Sequence, residues 1–415
     1  MQAGFKELGY LTQEIPGIGG RIKSTAQDFQ VKEIPLYPAS GTGEHLFLHI
    51  EKCNISTMDL VYQLSRQLQI SPNEIAYAGR KDSCSLSWQY LSVPFSCESM
   101  ISKISIPGVT VLDCQRHSNK LRIGHLAGNH FSILIRDVAE NAQENARHIL
   151  EILQKRGVPN YFGDQRFGVQ SNTHYVGKAM LMGNPEKVCD AIFQSNVSLE
   201  SSRLEEAIAL YQQGKYQEAM AAIPSSFSTE KHILKMLAFG HSKKKAIDRI
   251  PWKIQKFYIC AYQSSLFNHT LNSRLGFIDR IEAGDLAVKH PGSAVFLVQD
   301  TAVEQKRCDN GEISPSGPIF GHKMIEPQGT QGEREKRVLE EEGITLDMFQ
   351  PFHLKGERRS YRILLKEVKL EKTQEGLWLS FSLPKGCYAT VVLREIMKTA
   401  SFPIAEEDSM DEEKN

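Results

Sequence analysis

The sequence has no hydrophobic run long enough to cross a membrane. Apolar stretches such as FSILI at residues 131–135 and TVVL at residues 390–393 are far shorter than the roughly 18 residues that a bilayer requires. The N-terminal segment mixes charged and polar residues from Glu7 onward and lacks the apolar core of a signal peptide. We therefore expect no membrane segment and a cytoplasmic location.

Sequence motifs that bind metals or nucleotide cofactors are also missing. The eight cysteines form neither a CxxC pair nor a CxxC…HxxxH pattern, and we expect them to be reduced thiols. His45 and His49 are four residues apart but lack the glutamate of an HExxH zinc site. The GIGG segment follows no apolar strand, and neither GxxxxGK[ST] nor GxSxG occurs. We expect no metal and no cofactor, so any chemistry must come from side chains.

Net charge is zero over the 415 residues, with 49 basic and 49 acidic side chains, but the charge is unevenly distributed. Residues 405–415 hold six acids and one lysine, which predicts a disordered acidic tail. Residues 230–256 hold eight lysines or arginines and two acids, with Phe239 and Trp252 among them. This stretch suits contact with a phosphate backbone, although a solvated helical face is the alternative.

The pattern of elements predicts an α+β fold whose first 156 residues mix strands and helices. HLFLHIEK alternates, which places Leu46, Leu48 and Ile50 on one face of a strand. Ser56 caps a predicted helix that ends before Pro72. KLRIG and FSILIRDV are predicted strands around HLAGNH. A helix is predicted to follow, with an apolar stripe from Ala142 to Leu153, and to be ended by Gly157 and Pro159.

The character of the sequence changes near residue 157 and again near residue 355. The segment EEAIALYQQGKYQEAMAAIP predicts a helical hairpin, ISPSGPIFG (313–321) a loop, and residues 331–342 a charged, exposed helix. Residues 361–370 and 377–383 then predict a β-hairpin, and YATVVLREIMK a helix. A strand-rich start and end around a more helical middle indicate an inserted domain.

One carboxylate stands out as a candidate for chemistry. In YAGRKDSCSLSWQYLSV, Asp82 follows the Gly79 turn, stands beside Arg80 and Lys81, and precedes a predicted strand. Basic neighbours favour the ionised carboxylate that a nucleophile requires. An aspartate in a glycine-containing turn is by itself more often structural, so this pattern leaves both interpretations open.

Seven segments together resemble the TruD family of tRNA pseudouridine synthases over nearly the whole chain. In the family's order they are IKSTAQDFQVKEI, GTGEHLFLHIEK, YAGRKDSCSLSWQYLSV, LRIGHLAGNHFSILIRDV, GVPNYFGDQRFG, SSLFN and YATVVLRE. The resemblance implies a pseudouridine-synthase catalytic core with a mixed, mainly antiparallel sheet, formed from residues 1–156 and 356–404. It also implies a mixed α/β insertion domain at residues 157–355, followed by the acidic tail.

The resemblance further implies roles for individual residues in isomerising uridine. Asp82 takes the position of the family's nucleophile and Lys23 that of its active-site lysine. The residues that hold the target uridine correspond to Phe29, Asn129, Phe131 and Tyr388, the last at a position where the family often has phenylalanine. The implied substrate is tRNA, at uridine 13 of the D-arm, with no obligatory protein partner evident.

Two other classes of function compete with this interpretation. The first is an RNA-binding or RNA-folding protein that keeps the scaffold without turnover. A pseudouridine synthase that acts on another RNA is a variant of the main hypothesis rather than a separate class. The second is an aspartate-dependent glycoside hydrolase, which needs a second carboxylate about 5 to 10 Å from the first. The sequence offers no sign of that partner.

Overall fold

The computed structural model of the chain describes residues 8–168, 170–194, 202–292 and 294–399. The described residues form two compact units: one holds Tyr10–Val158 and residues 363–399, and the other holds residues 8–9 and Pro159–Arg362. The acidic tail predicted at residues 405–415 lies outside the described residues. Assignment of the second unit as an inserted domain remains our proposal.

The first part of the chain forms most of the first unit. Its strands are β1 (Gly19–Arg21), β2 (Phe29–Pro35), β3 (His45–Cys53), β4 (Ala76–Tyr77), β5 (Leu86–Pro94), β6 (Val109–His117) and β7 (Leu126–Val138), followed by β8 (Val158–Pro159) at the boundary. Its helices are α1 (Thr57–Leu68), α2 (Glu98–Ile101) and α3 (Ala142–Arg156).

The second unit is richer in helices. They are α4 (Thr173–Leu181), α5 (Pro185–Ile192), α6 (Ser202–Gln212), α7 (Tyr216–Ala222), α8 (Ser228–Ala238), α9 (Lys243–Asp248), α10 (Trp252–Ser273), α11 (Thr301–Asp309) and α12 (Gly329–Glu342). A four-stranded sheet in the order β10-β9-β11-β12 accompanies them, with β9 (Leu286–Lys289), β10 (Val295–Leu297), β11 (Ile313–Ile319) and β12 (Glu357–Ser360). The predicted helical hairpin is confirmed as α6 and α7.

The chain then returns to the first unit and completes its sheet. β13 (Arg362–Ile363) is followed by β14 (Lys366–Lys372), β15 (Leu377–Pro384) and α13 (Ala389–Met397). The sheet order is β14-β15-β7-β2-β5-β3-β6, with β1 on β7 and β4 on β5. β2 and β5 run parallel, and the other pairs are antiparallel. The predicted α+β class, with a mixed and mainly antiparallel sheet, is confirmed.

Side-chain alternation explains how β3 packs. Leu46, Leu48 and Ile50 are buried in one cluster with Leu60 and Leu64 of α1, which confirms the predicted apolar face. The helix begins where the sequence predicted, because the Ser56 side chain accepts a hydrogen bond from the backbone N–H of Asp59. Strand and helix thus form a two-layer core near the β6 edge of the sheet.

The prediction of a loop at residues 313–321 is wrong. Residues Ile313–Ile319 form β11, which lies between β9 and β12 and is buried along most of its length. Pro315 cannot donate a backbone hydrogen bond, but its carbonyl accepts one from the N–H of Tyr361 at 3.0 Å. Pairing on both sides outweighs the loop preference that the prolines and glycine of this segment indicate.

Three smaller predictions also need correction. KLRIG is not a strand, because β7 starts only at Leu126 and extends back through part of HLAGNH. The first strand of the C-terminal hairpin begins at Lys366 rather than at residue 361. Helix α12 is not simply exposed: Glu335 lies on a buried face and pairs with Arg358 at 2.8 Å, so its charges serve partly as internal ion pairs.

Candidate active site

Asp82 and Lys23 form an ion pair within the first unit. The Lys23 ammonium donates to Asp82 Oδ2 at 2.6 Å, and the two side chains are 10% and 27% exposed. Lys23 lies in the loop between β1 and β2, and Asp82 in the loop between β4 and β5. An ammonium at this distance favours the ionised carboxylate. The exposed fraction of Asp82 leaves the carboxylate accessible.

The backbone of Lys23 adopts an uncommon conformation. Its φ is 58°, in the left-handed region that residues other than glycine rarely enter. Such strained residues cluster at functional sites and persist where the surroundings hold them in place. The surroundings here are the turn at residues 25–28.

An ion pair anchors that turn to β7. Asp28 accepts hydrogen bonds from Arg136 Nε and Nη2 at 2.9 and 2.8 Å, and its carboxylate also accepts from the backbone N–H of Thr25 at 3.1 Å. The hydrogen bond from Arg136 holds the pKa of Asp28 below its usual value. This bidentate contact fixes the loop from which Lys23 reaches Asp82.

Aromatic rings line the core beside this ion pair. The Lys23 ammonium lies 4.6 Å from the centroid of the Phe29 ring. The Phe29 and Phe131 rings meet edge to face at 6.3 Å, and Phe131 stacks on Phe381 at 5.5 Å. All three rings are buried, so Phe29 and Phe131 contribute to the core as well as to the surroundings of Lys23.

Asn129 carries a buried acceptor that is left unsatisfied. It lies on β7, opposite Glu33 of β2 and Leu383 of β15. Its Oδ1 atom is buried and has no hydrogen-bond partner among the described residues. Because an unmade buried hydrogen bond costs about 1–3 kcal/mol, such an atom suggests a donor that arrives with a ligand.

Tyr388 follows the end of β15. There, Leu383 and Pro384 pair with Asn129 and Gly128 of β7, and four residues further on Tyr388 stands at the N-terminus of α13. Tyr388 is half-buried. The topology therefore brings Tyr388 to the end of the sheet at which Asn129 lies. The loop that carries Asp82 reaches the same part of the sheet, because the neighbouring Lys81 contacts Glu33, the residue opposite Asn129.

Lys52 is a site residue that the sequence prediction missed. Its side chain is fully buried, and its ammonium donates to the carbonyls of Ile55, Lys81 and Asp82 at 2.5, 3.3 and 3.0 Å. A signal existed: Lys52 falls on the same face of β3 as Ile50, at a position where alternation predicts an apolar side chain. Burying a lysine ammonium is costly unless hydrogen-bond acceptors surround it, so such a position indicates a buried polar site.

A second buried pair flanks the same loop. Lys81 Nζ lies 3.0 Å from Glu33 Oε2, with the two side chains 4% and 1% exposed. Burial raises the pKa of Glu33, and the positive charge of Lys81 opposes that rise. Lys81, which the sequence suggested as a charge partner of Asp82, is therefore engaged with Glu33, and Lys23 contacts Asp82 instead.

The described residues contain no group of three or more histidine, cysteine, aspartate or glutamate side chains arranged to hold a metal ion. All eight cysteines lie in the described ranges and are free thiols. No helix in the described ranges has the length and hydropathy of a membrane span.

The basic stretch at residues 230–256 forms α8, α9 and the start of α10 in the second unit. Phe239 and Trp252 are 70% and 45% exposed there. Lys244 and Lys245 are exposed, but Lys243 pairs with Glu186 at 2.5 Å. Part of the positive charge is therefore neutralised within the protein.

The family model described as tRNA pseudouridine synthase D (TruD) matches residues 6–396. The chain belongs to the TruD family. A TruD protein from Syntrophotalea carbinolica is 42% identical over 94% of this chain and 99% of its own length. One from Thermus thermophilus is 35% identical over 95% of this chain and 93% of its own.

The fold agrees with that membership. The crystal structure assigned to tRNA pseudouridine synthase D from Methanosarcina mazei superposes with a TM-score of 0.81 at 29% identity, covering 94% of this chain and 96% of that one. TruD proteins are pseudouridine synthases by name, so this chain is an isomerase of that class. The family resemblance found in the sequence is confirmed.

Proposed function

We propose that this TruD-family chain isomerises uridine to pseudouridine in tRNA, with Asp82 as the nucleophile and uridine 13 of the D-arm as the target. The observation that carries the proposal is the Lys23–Asp82 ion pair at 2.6 Å. The pair combines an accessible carboxylate with a cation. The cation can stabilise negative charge both on the carboxylate and on the departing base. Proteins named tRNA pseudouridine synthase D supply the substrate class.

The reaction breaks the N1–C1′ bond and forms a C5–C1′ bond. Asp82 attacks the ribose C1′ as the uracil leaves with the electrons of the N1–C1′ bond. The freed base then turns until C5 attacks C1′, which breaks the bond to Asp82 and releases its carboxylate. The proton that C5 loses is balanced by the proton that N1 gains, so no oxidant and no net water are needed. The Lys23 ammonium stabilises negative charge first on Asp82 and then on the departing base.

Access to C1′ requires that the target nucleotide leave its stack in the folded RNA. Phe29 and Tyr388 offer aromatic rings to receive it, and Phe131 supports Phe29 from the core. The unsatisfied Asn129 Oδ1 matches the N3–H donor of uracil. Cytosine has an acceptor at N3 instead of a donor, so this contact favours uridine over cytidine.

A tRNA substrate also suits the exposed part of the basic stretch, where Lys244 and Lys245 accompany Phe239 and Trp252. Such a surface binds phosphates and unstacked bases without reading sequence. The expectation of a cytoplasmic location follows from this proposed substrate.

Mapping pseudouridine in RNA from cells with and without the gene tests both the activity and the position. The proposal expects one tRNA site, at position 13, to lose its modification. Purified protein should restore it in a tRNA transcript, while a transcript with cytidine at position 13 serves as the matched control. If pseudouridine disappeared from another RNA instead, that RNA would be the substrate. If no pseudouridine site changed, the non-catalytic RNA-binding alternative would be favoured.

A further inference from the structure

Two buried side chains, Lys52 and Thr57, form hydrogen bonds with the backbone around Asp82. Lys52, from β3, lies beneath the loop and is 0% exposed. Thr57, the first residue of α1, is 1% exposed and also reaches the loop. Both come from elements of the two-layer core described above, whereas Asp82 lies in a loop.

The contacts of Lys52 match the chemistry of an ammonium group. Its Nζ donates to three backbone carbonyls, those of Ile55, Lys81 and Asp82, and an ammonium has three N–H donors. Two of those carbonyls belong to consecutive residues, so they define the orientation of the peptide planes on both sides of the Asp82 α-carbon. Burying the ammonium is costly, and these contacts offset the cost.

Thr57 holds the same loop one residue earlier. Its hydroxyl oxygen accepts a hydrogen bond from the backbone N–H of Lys81 at 2.9 Å, and the hydroxyl donates one to Gln89 Oε1 at 3.0 Å. On the far side of Asp82, the Ser85 hydroxyl donates to the Asp82 carbonyl at 2.9 Å. The backbone of residues 81–82 is therefore fixed at its N–H and at both carbonyls.

We propose that Lys52, assisted by Thr57, is a positioning residue that aims the Asp82 carboxylate at the reacting carbon. The inference rests on the proposed role of Asp82. Without the ammonium the loop carbonyls lose their shared donor, the peptide planes rotate, and the carboxylate drifts from Lys23 and from C1′. A misplacement of about 1 Å at a reacting group costs on the order of a hundredfold in rate.

The test compares Lys52→Met and Thr57→Val with two controls. Thr57→Ser keeps the hydroxyl, and Leu64→Ala destabilises the same two-layer core without touching the loop, since Leu64 is buried in the cluster beneath β3. Single-turnover pseudouridine formation is measured with saturating enzyme and expressed per folded molecule, alongside tRNA affinity and thermal unfolding. If Lys52→Met does not fold, Thr57→Val still tests the inference, because Thr57 holds the backbone of the same loop.

We expect Lys52→Met to lose about a hundredfold in single-turnover rate, with tRNA affinity within a few-fold of the parent. Thr57→Val should lose less, and Thr57→Ser and Leu64→Ala should turn over like the parent once corrected for folded fraction. Lys52→Met and Thr57→Val turning over like Leu64→Ala would overturn the inference. Asp82→Asn, measured beside them, separates the two failures, because normal turnover of this variant would overturn the proposed role of Asp82 rather than that of Lys52.

Discussion

The Lys23 ammonium lies 2.6 Å from Asp82 Oδ2, although 59 positions separate the two residues in the sequence. The parallel pairing of β2 with β5, in which Gln30 is opposite Leu86, accounts for the contact. The loop that precedes β2 carries Lys23, and the loop that precedes β5 carries Asp82. Since parallel strands begin at the same edge of a sheet, both loops arrive at one place.

The anchor beneath Lys23 makes stability depend on pH. Because the pKa of Asp28 is lowered in the folded state, its contribution is present above the unfolded pKa of about 3.9 and is lost as the pH falls through the folded value. Asp28→Asn should lower the free energy of unfolding at pH 7 by about 1–3 kcal/mol, and the difference from the parent should shrink in acid below about pH 4.

Urea unfolding of both proteins across pH measures this effect. Asp137→Asn is the matched control, because Asp137 pairs with Arg21 at the surface, where both side chains are about two-thirds exposed, and exposed pairs contribute little. A stability difference for Asp28→Asn that persists unchanged at pH 3 would show that the charge of Asp28 is not its cause.

The unsatisfied acceptor of Asn129 predicts opposite effects on stability and activity. Asn129→Leu removes a buried polar atom that has no partner among the described residues, so the variant should unfold at a temperature no lower than the parent. It also removes the proposed contact to uracil, so kcat/KM should fall by about ten- to a hundredfold, which corresponds to one hydrogen bond. Thermal unfolding and steady-state kinetics, measured on one preparation, test both effects. An unchanged kcat/KM would show that Asn129 does not contact the uridine.

The basic surface of the second unit predicts how salt affects RNA binding. Reversing Lys244 and Lys245 to glutamate should weaken tRNA binding and flatten the log–log dependence of affinity on salt, by roughly 0.7–0.9 for each lost phosphate contact. Lys243 belongs to the same basic stretch, but its pairing with Glu186 makes Lys243→Glu the comparison variant. We expect the single variant to change the salt slope less. An unaltered slope in the double variant would mean that these lysines face solvent in the complex.

Activity should not need a metal or a small-molecule cofactor. We expect purified protein to isomerise uridine in prefolded tRNA at the parent rate after treatment with a chelator and without additions. Prefolding matters because divalent ions also stabilise the RNA. If turnover with prefolded tRNA depended fully on a divalent ion, the reaction would need a bound metal, which contradicts this prediction.

Local patterns in the sequence predicted the parts of the fold that depend on local physics. Alternation identified the buried face of β3, and the Ser56 cap located the start of α1. The strand at Ile313–Ile319 was missed because its stability comes from neighbours on both sides, which no local composition reveals.

The candidate site shows the same division. Asp82 was recognisable as a carboxylate in a basic turn, but its partner was not: the adjacent Lys81 reaches Glu33, and Lys23 arrives through the strand register. Lys52 was visible only as a charge on an apolar face of β3. Its role depends on carbonyls 29 and 30 positions away, and tertiary structure alone supplies them.

The central claim is that Asp82 is the nucleophile, and Asp82→Asn tests it most directly. The substitution keeps size and much of the hydrogen-bonding capacity but removes the negative charge. Pseudouridine formation and tRNA affinity should be measured on one folded preparation beside the parent. We expect affinity within a few-fold of the parent and a rate lower by about ten-thousand-fold or more, the scale of losing a covalent nucleophile. Near-normal pseudouridine formation by Asp82→Asn would contradict the account.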